Sequence, residues 1–404
     1  MRQNRTARGA GVSVLVVGLC AALASGCATA DQQAGKTTSV GAPVKVAVVY
    51  SKTGALSTYG AEYLAGFQAG LSYATGGTGS IDGHEIQVTY ADDGGDPAKA
   101  VAATKQYIGE GDKIIAGTTD SGIATQLAPL AAQNKVLYIS GPAASDAITG
   151  VNKYTFRSGR QTYQDVATAG TFVGDPKGKK VLVFAQDSVF GKGNATAVTK
   201  VLGARGAQVT SLLVPAGTTD LTPFAQQAKQ AGSDLVFVAW AGDSTGAMWQ
   251  ALDQQGVLAS STVATGLANS ASFTAYGTAA TKINFLSYYF PGAPDNPVNK
   301  AMTDAVTAAG STPDLFSPDG FVAAQMIAHA VHAPGGGSDV DAMVGALEGW
   351  TFDAPKGSTT IRAADHAMLQ PMFQAKLAAA GSGYAPKLVA TVPNADTAPP
   401  QSAG

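Results

Sequence analysis

Short apolar runs rich in β-branched residues alternate along the chain with longer stretches of helical periodicity. Because these runs are apolar throughout, they are typical of parallel strands whose two faces are both covered by helices. The predicted strands are 44–50, 85–90, 113–116, 136–140, 180–184, 208–214, 234–240 and 262–265. The predicted helices are 58–75, 97–110, 122–134, 160–173, 191–205, 220–231, 243–256 and 318–333.

The alternation is interrupted once and then restarts, which predicts two α/β lobes of similar plan. It runs as far as Phe156-Arg157 and begins again at 180–184. We therefore predict two doubly wound lobes joined by a hinge. In such sheets ligands bind outside the carboxyl ends of the strands, so two facing lobes form a cleft. The predicted boundaries are 44–158 and about 287–345 for lobe 1, and about 159–286 and about 346–390 for lobe 2.

The N-terminal 26 residues have the pattern of an export signal. A cationic start is followed by an apolar run from Val12 to Ala24, and small residues precede Cys27. The junction Ala24-Ser25-Gly26-Cys27 resembles the bacterial lipobox, which implies a mature chain that begins at an acylated Cys27. The alternative is an ordinary secretory signal with an incidental cysteine. The apolar run is shorter than the roughly 20 residues of a membrane-spanning helix.

Composition narrows the possible partners. The chain carries 26 Lys and Arg against 28 Asp and Glu, and removal of the signal leaves it more acidic. It has no basic block, so nucleic acid is an unlikely partner on electrostatic grounds. The two cysteines are Cys20, within the signal, and Cys27, so we expect no disulfide in a mature monomer. Residues 27–43 are predicted to be a flexible spacer and residues 391–404 a disordered tail.

Ser121 is the strongest candidate for a binding residue on physical grounds. It lies between a short predicted strand and a helix, where a capping side chain is expected. The same position places its hydroxyl and the first free N–H groups at the positive end of the helix, where an anion can bind. A helix cap is the structural alternative, and the two roles are compatible.

A series of short motifs, in order along nearly the whole mature chain, resembles the type I periplasmic binding proteins, in particular the branched-chain amino-acid-binding branch. The motifs are VKVAVV at 44–49, TG at 53–54, YG at 59–60, YADDGGDP at 90–97, Gly117 with Asp120-Ser121, GPAAS at 141–145, Asp187 with Phe190-Gly191, DLVF at 234–237, RAADH at 362–366 and QPMF at 370–373. The resemblance implies a monomeric two-lobed binding protein that serves an ABC importer.

In lobe 1 the resemblance assigns roles to several residues. The matching serine and hydroxyl residue, here Ser121 and Ser145, hold the carboxylate of the ligand. The carbonyl matching Ala143 accepts from the ligand's ammonium group, and Ala144 belongs to the same motif. The aromatic residue matching Tyr59 packs on the ligand.

Lobe 2 departs from the family pattern. Phe190 stands where branched-chain amino-acid binders have tyrosine, and the loop at Leu267 lacks the acid that pairs with an ammonium group. An unpaired buried ammonium is costly. Either Asp243 replaces the acid, or the ligand is a carboxylate without an α-amine. In the second case Trp240 and Phe190 supply apolar walls, although both residues are equally compatible with the core.

The sequence carries no recognisable catalytic, cofactor-binding or metal-binding motif. The histidines at 84, 329, 332 and 366 lie on different elements or lack further ligands, so we predict no metal site. Nucleophile elbows and phosphate-binding glycine loops are missing, and Ser121 has no recognisable base. We therefore expect a non-enzymatic protein without a cofactor.

The leading functional hypothesis is an exported lipoprotein that closes around a small carboxylate-bearing solute, an amino acid or a related organic acid. It would be anchored to the outer face of the membrane through Cys27 and would deliver the solute to permease subunits. The alternative is a ligand sensor that presents a small amide or organic acid to a membrane signalling partner, since the same fold serves both roles.

Overall fold

The structure is a computed structural model that describes residues 41–402. The predicted signal, Cys27 and the spacer as far as residue 40 lie outside the described residues, as do 403–404. The strands are β1 (Val44–Tyr50), β2 (Ser80–Ile81), β3 (His84–Asp92), β4 (Ile114–Ala116), β5 (Leu137–Ser140), β6 (Thr155–Arg157), β7 (Lys180–Gln186), β8 (Gln208–Val214), β9 (Leu235–Ala239), β10 (Thr262–Gly266), β11 (Asn284–Ser287), β12 (Thr351–Ala354), β13 (Gly357–Ile361), β14 (Met368–Leu369), β15 (Met372–Ala380) and β16 (Gly383–Val392). The helices are α1 (Ser57–Ala74), α2 (Pro97–Gly109), α3 (Ser121–Asn134), α4 (Thr162–Gly170), α5 (Val189–Val201), α6 (Thr222–Gln230), α7 (Thr245–Gln254), α8 (Val257–Ser260), α9 (Pro297–Ala308), α10 (Ser317–Val331), α11 (Val340–Leu347) and α12 (Asn394–Thr397).

Two twisted sheets form the centres of the two lobes. Lobe 1 contains a six-stranded sheet in the order β2-β3-β1-β4-β5-β6, and lobe 2 a seven-stranded sheet in the order β16-β15-β11-β10-β9-β7-β8. Strands β1, β4, β5 and β6 run parallel, as do β7 to β11 within lobe 2. The central runs in β1, β4, β5, β7 and β9 are buried because helices cover both faces of each sheet, whereas β3 and β8 are partly exposed. The predicted fold class is confirmed, and each of the eight predicted strands overlaps an observed one.

The predicted lobe boundaries make the chain cross between the lobes three times. The third crossing lies later in the sequence than predicted. We expected the chain to return to lobe 2 at about residue 346, but β12, β13 and β14 form a separate antiparallel sheet. Phe352, Ile361 and Met368 from this sheet pack into the same core as β1 and α10 of lobe 1. Their burial against lobe 1 explains the error, since only the contact partners decide where such short strands belong. The chain enters lobe 2 again at β15.

The prediction of a disordered tail is wrong for the part that the structure describes. Strand β16 extends to Val392, and helix α12 packs on α4 of lobe 2. The chain then reaches lobe 1, where the carbonyl oxygen of Pro399 accepts a 2.8 Å hydrogen bond from Nη1 of Arg362. The N–H of Ser402 donates to Oδ2 of Asp365 at 2.9 Å. Side-chain partners on lobe 1 therefore order a segment whose own composition is typical of disorder.

Among residues 41–402, no helix combines the length and the apolar character that crossing a membrane requires.

Candidate ligand-binding site

A cavity of about 350 Å³ lies between the carboxyl edges of the two sheets. Six of the predicted site residues line it, three from each lobe. They are Tyr59, Ser121, Ala144, Phe190, Trp240 and Leu267. The cavity is where the doubly wound topology predicts a ligand, because both sheets end there in loops and helix starts.

Two helix N-termini lie close together beside the cavity. A side-chain carbon added at Gly122, in the first turn of α3, would lie 3.7 Å from Cγ2 of Val189 at the start of α5. Asp120 Oδ1 accepts from the N–H of Ile123 at 2.9 Å, and Ser188 Oγ accepts from the N–H of Gly191 at 3.1 Å. The first N–H groups of each helix have no intrahelical partner, so two positive helix ends converge on one place.

Ser121 is the first residue of α3, and Asp120 is its cap. The expectation that Ser121 caps the helix is therefore wrong, because the carboxylate one residue earlier takes that position. The Ser121 hydroxyl instead accepts the N–H of Ser145 at 3.2 Å, and its own hydrogen remains available to donate. Ser145 is buried behind Ser121, and its Oγ accepts from the N–H of Ala147 at 3.3 Å. The Ser145 backbone thus positions the Ser121 hydroxyl at the cavity wall.

Arg160 brings a buried positive charge to the cavity, and the sequence analysis missed it. Nε of Arg160 is 3.2 Å from Oδ2 of Asp165, and Nη1 donates to the carbonyl oxygen of Pro142 at 2.7 Å. In the described part of the chain, Nη2 has no hydrogen-bond acceptor. The side chain is only 9% exposed, and that exposure is to the cavity. Its only sequence signal is its place three residues after Arg157, in the passage between the lobes.

The environment of Arg160 keeps its position fixed. The guanidinium lies 5.2 Å from the ring centre of Tyr288 and 5.5 Å from that of Phe316, both of which line the cavity. Burial raises the pKa of Asp165, and Arg160 opposes that rise by stabilising the carboxylate. The ion pair and the two aromatic rings hold the guanidinium in one orientation, so Nη2 is preorganised for an anionic ligand.

Apolar and aromatic side chains form most of the lobe 2 wall. The Trp240 ring stacks on Phe184 at 5.7 Å, and its Nε1 donates to Ser244 Oγ at 2.9 Å. Phe190 and Leu267 line the same wall. The sequence analysis did not identify the side chains that α7 and the following segment contribute. They are Met248, Trp249 and Tyr276.

Three predicted site residues do not line the cavity: Ala143, Ser145 and Asp243. Ser145 is buried behind Ser121, so its predicted contact with the carboxylate is not supported. Ala143 is fully buried, and its carbonyl oxygen accepts a 2.7 Å hydrogen bond from Nη2 of the buried Arg157 rather than facing the cavity. Asp243 is exposed on the loop after Trp240. It is not among the lining residues, although it is close enough to the lining residue Tyr59 to contribute to the raised pKa of that hydroxyl, so its role as a substitute acid stays a prediction. The resemblance that suggested Ala143 could not show which donor its carbonyl would meet.

The carboxylates of the cavity wall are already committed to structural partners. Asp120 caps α3 and Asp165 pairs with Arg160, and these are the acids among the lining residues that the structure describes. Residues 41–402 contain no group of three or more His, Cys, Asp or Glu side chains that could hold a metal ion. The cavity therefore combines converging positive groups with an apolar wall.

Comparisons with known proteins agree with this architecture. The sequence profile of the periplasmic binding protein family matches residues 43–382. Leu/Ile/Val-binding protein homolog 3 from Brucella melitensis is 26% identical over 326 residues, which cover 79% of this chain and 87% of the homolog.

Solved structures extend the similarity to three dimensions. An ABC-type branched-chain amino acid transporter from Rhodopseudomonas palustris is 30% identical, with a TM-score of 0.73 and coverage of 89% of this chain and 99% of that one. A solute-binding protein of an R. palustris ABC transporter, solved with 4-hydroxybenzoate, is 24% identical with a TM-score of 0.79, covering 87% of this chain and 97% of that one. The chain therefore belongs to the periplasmic binding protein family, whose members are non-enzymatic proteins that bind small molecules outside the cytoplasm and deliver them to ABC permeases.

Proposed function

We propose that this protein captures a small carboxylic acid with an apolar body, without an α-amine, and delivers it to an ABC importer. The carboxylate would lie between the first turns of α3 and α5, where it accepts from the Ser121 hydroxyl and from Nη2 of Arg160. The apolar body would pack against Phe190, Trp240 and Leu267.

The observation that carries the proposal is the unpaired Nη2 of a buried Arg160 in the cavity wall. Among residues 41–402 this nitrogen has no protein acceptor, and the residue lines the cavity, so Nη2 is available to an acceptor that a ligand brings. The two helix ends favour the same charge. The Arg160 guanidinium and the free N–H groups at the two helix starts therefore favour an anion, while the Asp120 carboxylate that caps α3 offsets part of the positive potential there.

The cavity volume limits the size of the ligand. Its 350 Å³ corresponds to the liquid volume of about a dozen water molecules, at roughly 30 Å³ each. A ligand of about 10 to 14 non-hydrogen atoms would fill this space. An acid with one aromatic ring has this size, and the aromatic side chains of the wall match its flat faces.

An α-amino acid is the second candidate, because several relatives are Leu/Ile/Val-binding protein homologues. Two features disfavour it. The Ala143 carbonyl is occupied by Arg157, and both acids of the cavity wall have structural partners. An ammonium group would therefore be desolvated without a free carboxylate. The relative solved with 4-hydroxybenzoate shows that proteins of this fold can accept an aromatic acid.

Titration calorimetry on acids and their neutral amides would test the proposal. Candidate acids would first be selected by thermal shift, since a ligand at about 100 times its Kd adds roughly 2.7 kcal/mol of stability. We expect the acid to bind at least tenfold more tightly than the amide, and Arg160→Gln to remove this preference. Arg205→Gln, on the surface of lobe 2, is the matched control. If Arg160→Gln is unfolded, the double variant with Asp165→Asn removes the unpaired carboxyl.

Equal binding of acid and amide by the parent protein would disprove the carboxylate site. Tighter binding of amino acids than of any acid without an amine would favour the second candidate instead.

We also propose that acylated Cys27 tethers the mature protein to the membrane. Two acyl chains give stable attachment, and the residues between Cys27 and β1 would act as the spacer. A sensor and an importer component would bind the ligand in the same cleft, so only the membrane partner distinguishes the two functions. Deletion of the gene should abolish ligand uptake if the protein serves an importer, whereas a sensor would leave uptake intact.

A further inference from the structure

Gly266 is the last residue of β10 and part of the cavity wall. Glycine is unfavourable in a strand, because it has no side chain to pack and loses more backbone freedom on folding than other residues. Where a strand nevertheless contains one, the usual reasons are a positive φ, a β-bulge, close approach of another part of the protein, or close approach of a ligand.

The first three reasons do not apply to Gly266. Its φ is not positive, and it pairs in regular register with Leu286 of β11. A side-chain carbon added at Gly266 would have no atom of residues 41–402 within 4 Å, apart from its own chain neighbours. At Gly191, in the same lobe, the added carbon would lie 1.8 Å from the carbonyl oxygen of Gln186. Close packing therefore explains Gly191, whereas the space beside Gly266 is empty and leaves ligand contact as the reason for the glycine.

The alternation of side chains along β10 shows where this empty space lies. Residues 264 and 266 point to the same face of the sheet, and Ala264 packs in the core cluster formed with α4 and α5. Phe190, in the first turn of α5, packs against this cluster and lines the cavity. Ala239, at the end of β9, belongs to the same cluster and also lines the cavity. The space therefore lies between the ends of β9 and β10 and the first turn of α5.

Neighbouring contacts keep this space open. The Thr265 hydroxyl donates to the carbonyl oxygen of Val238 at 2.9 Å. The N–H of Leu267 donates to the carbonyl oxygen of Leu286 at 2.8 Å. The residues on both sides of Gly266 are thereby tied to β9 and β11, so the end of β10 cannot collapse into the space.

We propose that Gly266 is a specificity-determining residue: the space beside it holds the body of the ligand and admits a ring that a side chain at this position would exclude. This inference rests on the proposed carboxylate site. With only hydrogen at Gly266 and a methyl group at Ala239, a flat ring can lie against the ends of β9 and β10, and Phe190 contacts it from α5. Short aliphatic acids do not fill this space. The protein therefore selects ring-bearing acids over short aliphatic acids.

Titration calorimetry with ring-bearing and short acids would test this role. Benzoate, 4-hydroxybenzoate and phenylacetate are the ring-bearing probes, and propanoate is the short one. We expect the parent protein to bind at least one ring-bearing acid roughly tenfold more tightly than propanoate. Gly266→Ala should weaken the binding of ring-bearing acids by roughly tenfold, because overfilling a packed site is costly, while the affinity for propanoate changes less than about twofold. Gly266→Leu should abolish binding of the ring-bearing acids.

Thermal unfolding without ligand separates this role from a structural one. Because the space is empty, and because alanine loses less backbone freedom than glycine on folding, Gly266→Ala should unfold at the same temperature as the parent or higher. A glycine that the fold requires gives the opposite result, so Gly191→Ala should lower the unfolding temperature. Gly345→Ala is the matched control for affinity, since Gly345 is exposed on α11 of lobe 1 and has equally open surroundings. It should leave the affinity for every acid unchanged.

The outcomes distinguish this inference from the proposed function. Unchanged affinity of Gly266→Ala for the ring-bearing acids, or a lowered unfolding temperature, would disprove the role of Gly266 and leave the carboxylate site intact. Propanoate binding as tight as that of every ring-bearing acid would also disprove the selection. Equal binding of each acid and its amide by the parent protein, or failure of every acid to bind, would disprove the carboxylate site and with it this inference.

Discussion

Nδ2 of Asn269, in lobe 2, donates a 2.9 Å hydrogen bond to Oε1 of Glu62, in lobe 1. The other carboxyl oxygen of Glu62 accepts the N–H of Phe316 at 3.2 Å. Asp314 is the neighbouring acid, and its Oδ2 accepts the N–H of Ser270 at 2.9 Å. The closed cleft thus brings two carboxyl groups of lobe 1 against one turn of lobe 2.

This contact predicts that ligand binding weakens as the pH rises. Burial, and then Asp314, raise the pKa of Glu62 to about 8, so the closed form holds Glu62 protonated at neutral pH. Opening exposes the carboxyl to water and returns its pKa towards the ordinary value near 4.3. Between the two values closure takes up a proton, so affinity should fall as pH rises from about 5 to about 8 and then level off.

Calorimetry at several pH values would measure this dependence. We expect at least a tenfold loss of affinity between pH 6 and pH 8, with proton uptake visible as a dependence of the binding enthalpy on the buffer. Glu62→Gln cannot ionise and should remove most of the slope. Glu85→Gln, on the far edge of the lobe 1 sheet, is the control. A flat profile for the parent protein would contradict proton uptake on closure.

Replacement of Ser121 by alanine should weaken carboxylate binding by roughly 10- to 150-fold. A hydrogen bond to a charged group contributes about 1.5–3 kcal/mol, and 1.4 kcal/mol corresponds to one decade of affinity. The free helix N–H groups remain and reduce the loss. Because Asp120 caps α3, the apo protein should unfold at nearly the same temperature as the parent. An affinity within twofold of the parent would move the carboxylate away from Ser121.

Removal of residues 393–404 should allow the ligand-free protein to open further. The described part of this segment links α4 of lobe 2 to Arg362 and Asp365 of lobe 1, in addition to the three passages of the main fold. Small-angle scattering should show a larger radius of gyration for the truncated apo protein. Arg362→Gln weakens only the lobe 1 end of the link and should give a smaller increase. Identical scattering from all three proteins would show that the tail does not restrain the lobes.

Replacement of Cys27 by serine should release the protein from the membrane. The junction Ala24-Ser25-Gly26-Cys27 predicts acylation of that thiol, and a polar chain without acyl groups has no comparable affinity for a bilayer. Membrane fractions washed with salt would be compared for the parent and the variant. Retention of the Cys27→Ser protein in the washed membranes would contradict the lipoprotein hypothesis.

The local pattern of apolar and polar residues was sufficient to predict the two sheets, the two lobes and the sheet edge at which a ligand is expected to bind. Runs such as 44–50 and 181–185 are apolar because both faces of their strands are covered, so their burial is visible within a few residues of sequence. The position of Ser121 between a strand and a helix is equally local. The prediction that Tyr59 and Phe190 belong to the cavity came from family resemblance and not from the pattern, and that of Trp240 from the apolar character of the expected ligand.

Tertiary structure alone decided the chemistry of the cavity. Arg160 and Tyr276 are ordinary residues in their local sequence, and they line the cavity because distant chain segments pack around them and, among residues 41–402, leave one donor of each without an acceptor. Arg157 donates a hydrogen bond to the Ala143 carbonyl, and Arg362 donates one to the Pro399 carbonyl in the C-terminal segment. The hydrophobic periodicity of the sequence gives no signal of either contact. Hydrogen-bond partners and buried neighbours are set by the packing of the whole chain, so a residue's neighbours in sequence cannot determine them.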